Sequence, residues 1–321
     1  TNTLRRMKKA GPFLRAAEKA LGRPVEIISG VEEARLIFTG VVHGMRPNKR
    51  RLVVDIGGGS TEIIIGCGDK PQLMESVHMG CVTYTQRYFP GGKITPARLQ
   101  RARRAAAADV DFLVTAYRDL GWDRALGSSG SARSVWRVAE ELGHGSNHIS
   151  KEGIDAVGEA LADLGKVRSI KFDGLREDRR AVFVGSWAVL AGVFDALGVT
   201  QMEVSDRALR EGVIYDLLGR NSEGDVREQS VRNISSRFTI DTEQSRRVTH
   251  VARRLYDCVA KAWDLVEETD WPYLRWACAL HELGLAISHS GFHKHGAYVI
   301  AKADMHLSLI HISEPTRPLY I

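Results

Sequence analysis

The 321-residue sequence predicts an α/β fold up to about residue 220, followed by an all-helical domain. Helical and strand patterns alternate through the first part, and residues 52–56 form a continuous apolar run that is typical of a buried strand. This run and a second β pattern at 61–65 flank a glycine-rich turn, which indicates a hairpin. From residue 223 to residue 305 the periodicity is helical.

The other elements follow from the same periodicities. Residues 181–199 are almost entirely apolar, but Asp195 and the two arginines before the stretch favour a buried helix over a membrane span. Glycine and charged residues at 221–228 mark the best domain boundary. The remaining predicted elements are helices at 4–21, 31–39, 95–120, 132–142 and 208–218, and strands at 25–28, 72–79, 124–126 and 201–204.

Charge and cysteine content narrow the function classes. The formal net charge of +6 suits a polyanionic partner such as a polyphosphate or a nucleotide. The arginines are spread over helices and there is no lysine-rich tail, so no nucleic-acid partner is expected. The four cysteines are scattered, match no zinc spacing and fit a reducing cytoplasm.

The strongest chemical signal is the sequence DIGGGSTE at 55–62. Three consecutive glycines let backbone N–H groups wrap an anion, because no Cβ blocks the approach or disfavours positive φ. Asp55 and Glu62 flank the turn, and carboxylates beside a phosphate need a hard cation such as Mg²⁺ between them. A hairpin turn without a ligand is the less favoured alternative, and the pattern is neither a Walker A nor a Rossmann motif.

Four further segments carry weaker signals. GSSGS at 127–131 leads into a helix whose N–H groups would attract an anion, although an ordinary Ser N-cap explains the segment equally well. Arg210 could bind phosphate or form a surface ion pair. Glu32 and Glu33 begin a helix, where acids commonly serve only the helix dipole. The histidines between residues 281 and 295 match no metal-binding spacing, so structural roles are favoured for them.

Together these motifs resemble the exopolyphosphatase and guanosine pentaphosphate phosphohydrolase family, within the actin, sugar-kinase and Hsp70 ATPase superfamily. The resemblance covers residues 1–305. The segments that carry it are TNTLR at 1–5, ISGVEEARLIFTGV at 28–41, LVVDIGGGSTEIIIG at 52–66, MGCVTYTQRYFPGG at 79–92, GSSGSARSV at 127–135 and SDRALREGVIYDLLGR at 205–220. HELGLAISHSGFHKHGAYVI at 281–300 looks closer to exopolyphosphatases.

The resemblance implies a ribonuclease-H-like fold of the actin and sugar-kinase type, truncated in its first half, and then an all-helical domain similar to HD hydrolases. The family's first phosphate loop is expected before Thr1, and Arg207 stands where the family has glycine. The expected divisions are a remnant of the first ribonuclease-H-like domain at 1–40, the second at 41–222, a truncated helical domain at 223–305 and an aberrant tail at 306–321.

Site residues are also implied by the resemblance. Glu33 becomes the general base for a water molecule, and Asp55 and Glu62 become the carboxylates that hold Mg²⁺. Phosphate contacts are implied for Arg5, Gly57, Gly58, Gly59, Ser60, Gly130, Ser131 and Arg210.

The implied function is that of an exopolyphosphatase, in which water attacks the terminal phosphorus of inorganic polyphosphate. Hydrolysis of guanosine pentaphosphate is the first alternative, and a nucleotide-binding kinase-like or Hsp70-like protein is the second. A third is a phosphate-binding remnant, since this chain alone is expected to have little activity.

The resemblance further implies a cytoplasmic protein that is a homodimer at full length. Three questions stay open at this point: peripheral membrane association, the preferred length of the polyphosphate chain and the role of the histidines at 281–295.

Overall fold

The computed structural model describes residues 10–23, 25, 27–145, 147–219 and 226–302, and the structural statements below concern these residues. They form two compact units. The first contains residues 30–219, and the second combines the helix before Gly30 with the helices after residue 225.

The helices and strands are numbered in chain order. The helices are α1 (Ala10–Leu21), α2 (Gly30–Val42), α3 (Cys81–Tyr88), α4 (Pro96–Asp109), α5 (Asp111–Leu120), α6 (Ser129–Ala139), α7 (Lys151–Leu164), α8 (Glu177–Arg180), α9 (Phe183–Leu197), α10 (Leu209–Gly219), α11 (Val226–Arg237), α12 (Thr242–Val259), α13 (Glu267–Leu280) and α14 (Phe292–Lys302). The strands are β1 (Arg50–Ile56), β2 (Thr61–Cys67), β3 (Lys70–Val77), β4 (Arg124–Ser128), β5 (His148–Ser150) and β6 (Gln201–Val204). Short 3-10 turns lie at Pro90–Gly92, Val167–Ser169 and Leu283–Ala286, and a π-helical turn lies at Glu140–His144.

The described strands of the first unit form one mixed sheet in the order β3-β2-β1-β4-β6-β5. The predicted hairpin is present, because β1 pairs antiparallel with β2. On its other side β1 pairs parallel with β4, which pairs parallel with β6. The α/β fold predicted from the alternating patterns is therefore confirmed, with β1 in the interior of the sheet.

Strand β1 is buried on both faces, which explains its continuous apolar sequence. Leu52, Val54 and Ile56 belong to the larger core cluster, together with α3, α4, α6, α7 and α9. Val53 points to the opposite face and packs in a smaller cluster with residues of α2. The sheet therefore lies between two helical layers.

Helices α2 and α10 are in backbone contact on that opposite face. A Cβ on Gly212 would lie 1.8 Å from the carbonyl oxygen of Leu36, and a Cβ on Gly40 would lie 2.2 Å from that of Ala208. The guanidinium of Arg35 also joins the two helices, since it lies 2.7 Å from both Glu32 and Asp216. This packing fixes the position of the first turn of α2, which carries Glu33.

The apolar stretch at 181–199 forms α9, and nearly all of its side chains are buried in the core of the first unit. The expectation of a buried helix is therefore confirmed. None of the helices in the described ranges combines the length and apolar character needed to cross a bilayer.

Two local predictions were wrong. The described residues of the expected strand at 25–28 form no strand, because the N–H of Val25 donates to the Glu18 carboxylate at 3.2 Å instead of to a neighbouring strand. The single helix expected at 95–120 is two helices, α4 and α5, because the backbone leaves helical geometry at Val110. Residues 30–40, the end of the division predicted at 1–40, pack on the sheet of the first unit.

The second unit is helical in its described part, which confirms the all-helical prediction for this region. Its core contains Val231, Ile240, Leu280 and Leu283 around Trp276, which is 1% exposed. The indole N–H of Trp276 donates to the Glu228 carboxylate at 2.7 Å, so the polar edge of this buried ring is satisfied.

We expect Gly212→Ala to lower the free energy of unfolding by about 1–3 kcal/mol or more, because the added methyl group overpacks the contact between α2 and α10. Gly296→Ala in α14 is the matched control, because its Cβ would meet atoms no closer than 3.4 Å. It should be neutral or stabilising by up to about 1 kcal/mol. Urea denaturation followed by circular dichroism measures both, and equal effects would contradict the close packing of the two helices.

Candidate active site

Two carboxylates lie side by side where the hairpin turns. Asp55 of β1 is paired in register with Glu62 of β2 on one side and with Ser128 of β4 on the other. Asp55 is 8% exposed and Glu62 is 2% exposed. Each accepts a serine hydroxyl, Asp55 from Ser128 at 2.7 Å and Glu62 from Ser76 at 2.8 Å. The sheet therefore holds both acids in fixed orientations.

Burial changes the protonation of this pair. It raises the pKa of Asp55 to about 6 and that of Glu62 to about 7, because removal from water disfavours the charged form. The negative charge of Glu33 raises both pKa values further. The structure thus brings Glu33, from the first turn of α2, into electrostatic range of both acids. The sequence alone left open whether the site reached this residue.

The glycine turn joins the two strands and also caps a helix. The N–H of Gly57 donates to the Ser60 carbonyl at 2.9 Å. The carbonyls of Gly57 and Gly58 accept the N–H groups of Cys81 and Val82 at the start of α3, each at 2.9 Å. Within the described ranges, the N–H groups of Gly58 and Gly59 form no hydrogen bond. These two groups are the ones that a bound phosphate oxygen can accept from.

The backbone of this turn is in close contact with Gly80, directly before α3. Positive φ does not occur at Gly57, Gly58 or Gly59. A Cβ at Gly80 would instead lie 2.5 Å from the backbone of Gly58, so the close approach occurs where the turn meets α3. The hydroxyl of Ser60 hydrogen-bonds Glu62 and lowers the pKa of that acid, so the side chain is committed to the carboxylate.

The second small-residue cluster opens α6 and is tied to β1. The hydroxyl of Ser131, which is 1% exposed, donates to the Ile56 carbonyl at 3.0 Å. Its N–H donates to the hydroxyl of Ser129 at 3.3 Å, and Ser129 has a φ of 81°. Ser131 therefore fixes the start of α6 against β1, while Gly130 remains at the surface of the site.

A cavity of about 410 Å³ lies between the two clusters. Gly57 and Gly58 form one side, and Ser129 and Gly130 form another. Arg179 closes it, and its guanidinium lies against Gly130 so closely that a Cβ there would be 2.7 Å from the nearest nitrogen. The cavity has the size and the donors to hold a phosphate group.

Two of the remaining predicted residues are the arginines Arg5 and Arg210. Arg210 lines a neighbouring cavity, and Arg5 lies outside the described residues. The side chain of Arg207 donates to the His43 carbonyl at 2.5 Å.

Sequence reasoning missed Ser76, Ser128 and Arg179. Ser128 was within the small-residue cluster, but no local pattern distinguishes Ser76 or Arg179.

The histidine-rich segment lies in the second unit. The Nδ1 of His281 donates to the Cys278 carbonyl at 2.8 Å, and its Nε2 lies 3.8 Å from Glu282. In the described part of the chain, no group of three or more histidines, cysteines or acids is arranged to hold a metal ion. The described geometry gives His281 a structural hydrogen bond.

Comparison with known proteins decides the family. Residues 1–221 match the Ppx/GppA phosphatase family, and residues 226–306 match domain III of Ppx/GppA phosphatases. The chain belongs to the Ppx/GppA phosphatase family. The expected resemblance is therefore confirmed.

Similar family members are known by sequence and by structure. Proteins called guanosine-5'-triphosphate,3'-diphosphate pyrophosphatase from Aeromonas hydrophila and Aeromonas salmonicida are 36% and 35% identical over 305 residues, which is 95% of this chain. The chain spans only 61% of the length of these relatives.

Solved structures of the family support the fold. A Ppx/GppA family member from Aquifex aeolicus has a TM-score of 0.59 at 22% identity, covering 69% of this chain and 73% of that one. An exopolyphosphatase from Cytophaga hutchinsonii has a TM-score of 0.59 at 22% identity, covering 67% and 72%. At this identity the likeness concerns the fold alone.

The buried Glu62 should make the stability of the chain depend on pH. The pKa of Glu62 is about 7 in the folded chain, above the model-peptide value of 4.5. Between pH 4.5 and about pH 7 the folded chain therefore binds a proton that the unfolded chain has lost. The free energy of unfolding decreases as the pH rises through this range. We expect Glu62→Gln to raise the free energy of unfolding by about 2–3 kcal/mol at about pH 8 without divalent cations, and to have little effect at about pH 4.

Urea denaturation at the two pH values measures this effect. Glu159→Gln, on an exposed position of α7, is the control and should change neither value. A Glu62→Gln chain that is less stable than the parent at about pH 8 would show that the charged carboxylate is stabilised by its surroundings.

Proposed function

We propose that this site hydrolyses a terminal phosphoanhydride bond of a polyphosphorylated substrate. The observation that carries the proposal is the placement of Asp55 and Glu62 opposite each other on adjacent strands. Beside them are the N–H groups of Gly58 and Gly59, which donate to no other described residue. Carboxylates beside backbone N–H groups that can bind phosphate suit a phosphorylated substrate that binds together with a cation.

The donor set fits Mg²⁺. This ion commonly binds one or two carboxylates together with phosphate oxygens and waters, and Asp55 and Glu62 offer two carboxylates held by serine hydroxyls. The raised pKa of each acid reflects the cost of burying its charge, and a bound cation would remove that cost. When bound, Mg²⁺ would neutralise charge on the phosphate groups and orient them for attack.

Glu33 is the proposed general base. It lies near both carboxylates, as its effect on their pKa values requires, and it is fixed by the contact of α2 with α10. In this position it would accept a proton from a water molecule as the oxygen attacks the terminal phosphorus. The N–H groups of Gly58 and Gly59 and the guanidinium of Arg179 would donate to the oxygens where negative charge increases.

Two substrates are candidates. The names of the Aeromonas relatives, at 36% and 35% identity, favour guanosine pentaphosphate. Inorganic polyphosphate was the first expectation from the sequence, and the exopolyphosphatase from Cytophaga hutchinsonii has the same fold. Because both substrates end in a phosphoanhydride, the proposed chemistry is the same for each.

Substrate preference is measured as phosphate release with and without Mg²⁺ from long-chain polyphosphate and from guanosine pentaphosphate. The assay uses this chain alone and a chimera in which the N-terminal residues of the Aeromonas hydrophila relative precede it. We expect Mg²⁺-dependent release by the chimera. Binding of ATP without phosphate release from either substrate would favour the kinase-like alternative instead.

We expect Glu33→Gln to lower kcat by about 10² or more in the chimera, because the amide cannot accept the proton of the attacking water. KM should change little, since the charge at residue 33 does not bind the phosphates. Glu159→Gln is the control of equal charge and should keep the parental rate. If Glu33→Gln keeps kcat within about twofold of the parent, another group must activate the water.

A further inference from the structure

Four residues form a single row across the sheet at the proposed cation site. Ser76 of β3 pairs in register with Glu62 of β2. Glu62 pairs in turn with Asp55 of β1, which pairs with Ser128 of β4. Side chains at directly paired positions of adjacent strands lie on the same face of a sheet. The two acids therefore lie in the middle of this serine–acid row, with one serine on each outer side.

Each serine binds one oxygen of the acid beside it. The hydroxyl of Ser76 donates to Oε1 of Glu62 at 2.8 Å. The hydroxyl of Ser128 donates to Oδ2 of Asp55 at 2.7 Å. A carboxylate has about four acceptor positions, so both acids keep positions for a cation even though Ser60 also hydrogen-bonds Glu62. In each acid, however, one oxygen is already shared with a serine.

This sharing limits how the two acids can bind a metal ion. Mg²⁺ demands near-ideal octahedral geometry and uses few carboxylate oxygens, whereas the larger Ca²⁺ takes about six to eight oxygens and often both oxygens of one carboxylate. A carboxylate with one oxygen committed to a hydroxyl suits the first ion better than the second. We propose that Ser76 and Ser128 are positioning residues that make the site select Mg²⁺ over Ca²⁺. The inference rests on the proposed function, because it concerns the same cation site.

The sheet keeps the serine–acid row rigid, which strengthens the selection. Ser128 is 0% exposed, and its strand β4 lies between β1 and β6. Its hydroxyl is also 3.2 Å from the Arg207 carbonyl, but the carboxylate of Asp55 is nearer and is the stronger acceptor. Selectivity between the two ions depends on the number and flexibility of the ligands, so fixed carboxylates favour the smaller ion.

A purely structural role of the serines predicts a different behaviour. If the hydroxyls only offset the cost of burying the acids, their loss would weaken the binding of Mg²⁺ and Ca²⁺ by a similar factor. Selection instead predicts unequal changes. Removal of a hydroxyl frees an oxygen that Ca²⁺ can use as an additional ligand, while Mg²⁺ loses the fixed orientation and gains no ligand.

The test measures divalent-cation binding by the whole chain in the absence of substrate. Mn²⁺ is the probe, because the electron paramagnetic resonance signal of the free ion decreases when the ion binds. Displacement of Mn²⁺ by Mg²⁺ and by Ca²⁺ then gives the dissociation constant of each. Glu62→Gln identifies the Mn²⁺ that is bound at this site.

The variants remove or keep single hydroxyl groups. Ser76→Ala and Ser128→Ala each remove one hydroxyl of the serine–acid row, and Ser76→Thr keeps it. Ser236→Ala, at an exposed position of α11, is the matched control. Circular dichroism verifies that each variant is folded, and Ser76 is suited to replacement because it is only partly buried on the edge strand β3.

We expect each alanine variant of the row to lower the preference for Mg²⁺ over Ca²⁺ by about tenfold, because a hydrogen bond to a charged group contributes a factor of that order. Ser76→Thr and Ser236→Ala should keep the parental preference within about twofold. A loss of preference in only one of the two alanine variants supports the inference and assigns the selection to that serine.

Four results would overturn the inference. The first is an unchanged preference in both Ser76→Ala and Ser128→Ala, and the second is an equal weakening of both ions. The third is an equal loss of preference in Ser76→Thr or Ser236→Ala. The fourth is a parent chain that binds no Mn²⁺ that Glu62→Gln removes.

Phosphate release by the chimera separates this inference from the proposed function. A chain that shows the expected change in preference, with a chimera that releases no phosphate, would refute the hydrolase and leave the selection by serine standing. A chimera that releases phosphate with Mg²⁺, while both alanine variants keep the parental preference, would refute the selection and leave the hydrolase standing.

Discussion

The burial of two neighbouring carboxylates is the constraint on which the site depends. Asp55 and Glu62 occupy opposite positions of one hairpin, and removing two like charges from water is costly. Hydroxyl donors from Ser128 and Ser76 offset part of this cost, and the raised pKa values show that the rest remains. The hairpin register is equally important, since a slip of one residue would turn Glu62 to the opposite face of the sheet.

The features that could be predicted from sequence are those with local causes. The apolar run of β1, the glycine turn and the buried helix α9 each have a pattern within a few residues. The same is true of the two acids, because residues that flank a tight hairpin must come together. The family resemblance then named Glu33, which periodicity alone could not connect to the turn. Its role and those of the metal-binding acids stay predictions.

The features that escaped prediction depend on tertiary contacts. The hydroxyl contacts of Ser131 with the Ile56 carbonyl and of Ser60 with Glu62 could not be read from the sequence, and the phosphate contacts expected of both residues stay predictions. The neighbouring cavity, which Arg210 lines, is formed by residues of α6, α8 and α10. Because these helices are far apart in the chain, no spacing rule predicts it. The strand expected at 25–28 is absent from the described residues for a related reason. A strand needs a neighbouring strand to accept its backbone N–H groups, and the N–H of Val25 donates to the side chain of Glu18 instead.

The capping of α3 by the glycine turn links the phosphate-binding loop to the interior of the first unit. Gly57 and Gly58 give their carbonyls to the first turn of α3, and the backbone of α3 in turn touches α9, where a Cβ on Gly185 would lie 2.1 Å from the Cys81 carbonyl. Dense packing resists small shifts of the backbone, so the glycine turn has little freedom to change its conformation when a ligand binds. Its shape is set during folding, and the protein spends little conformational entropy when a phosphate arrives.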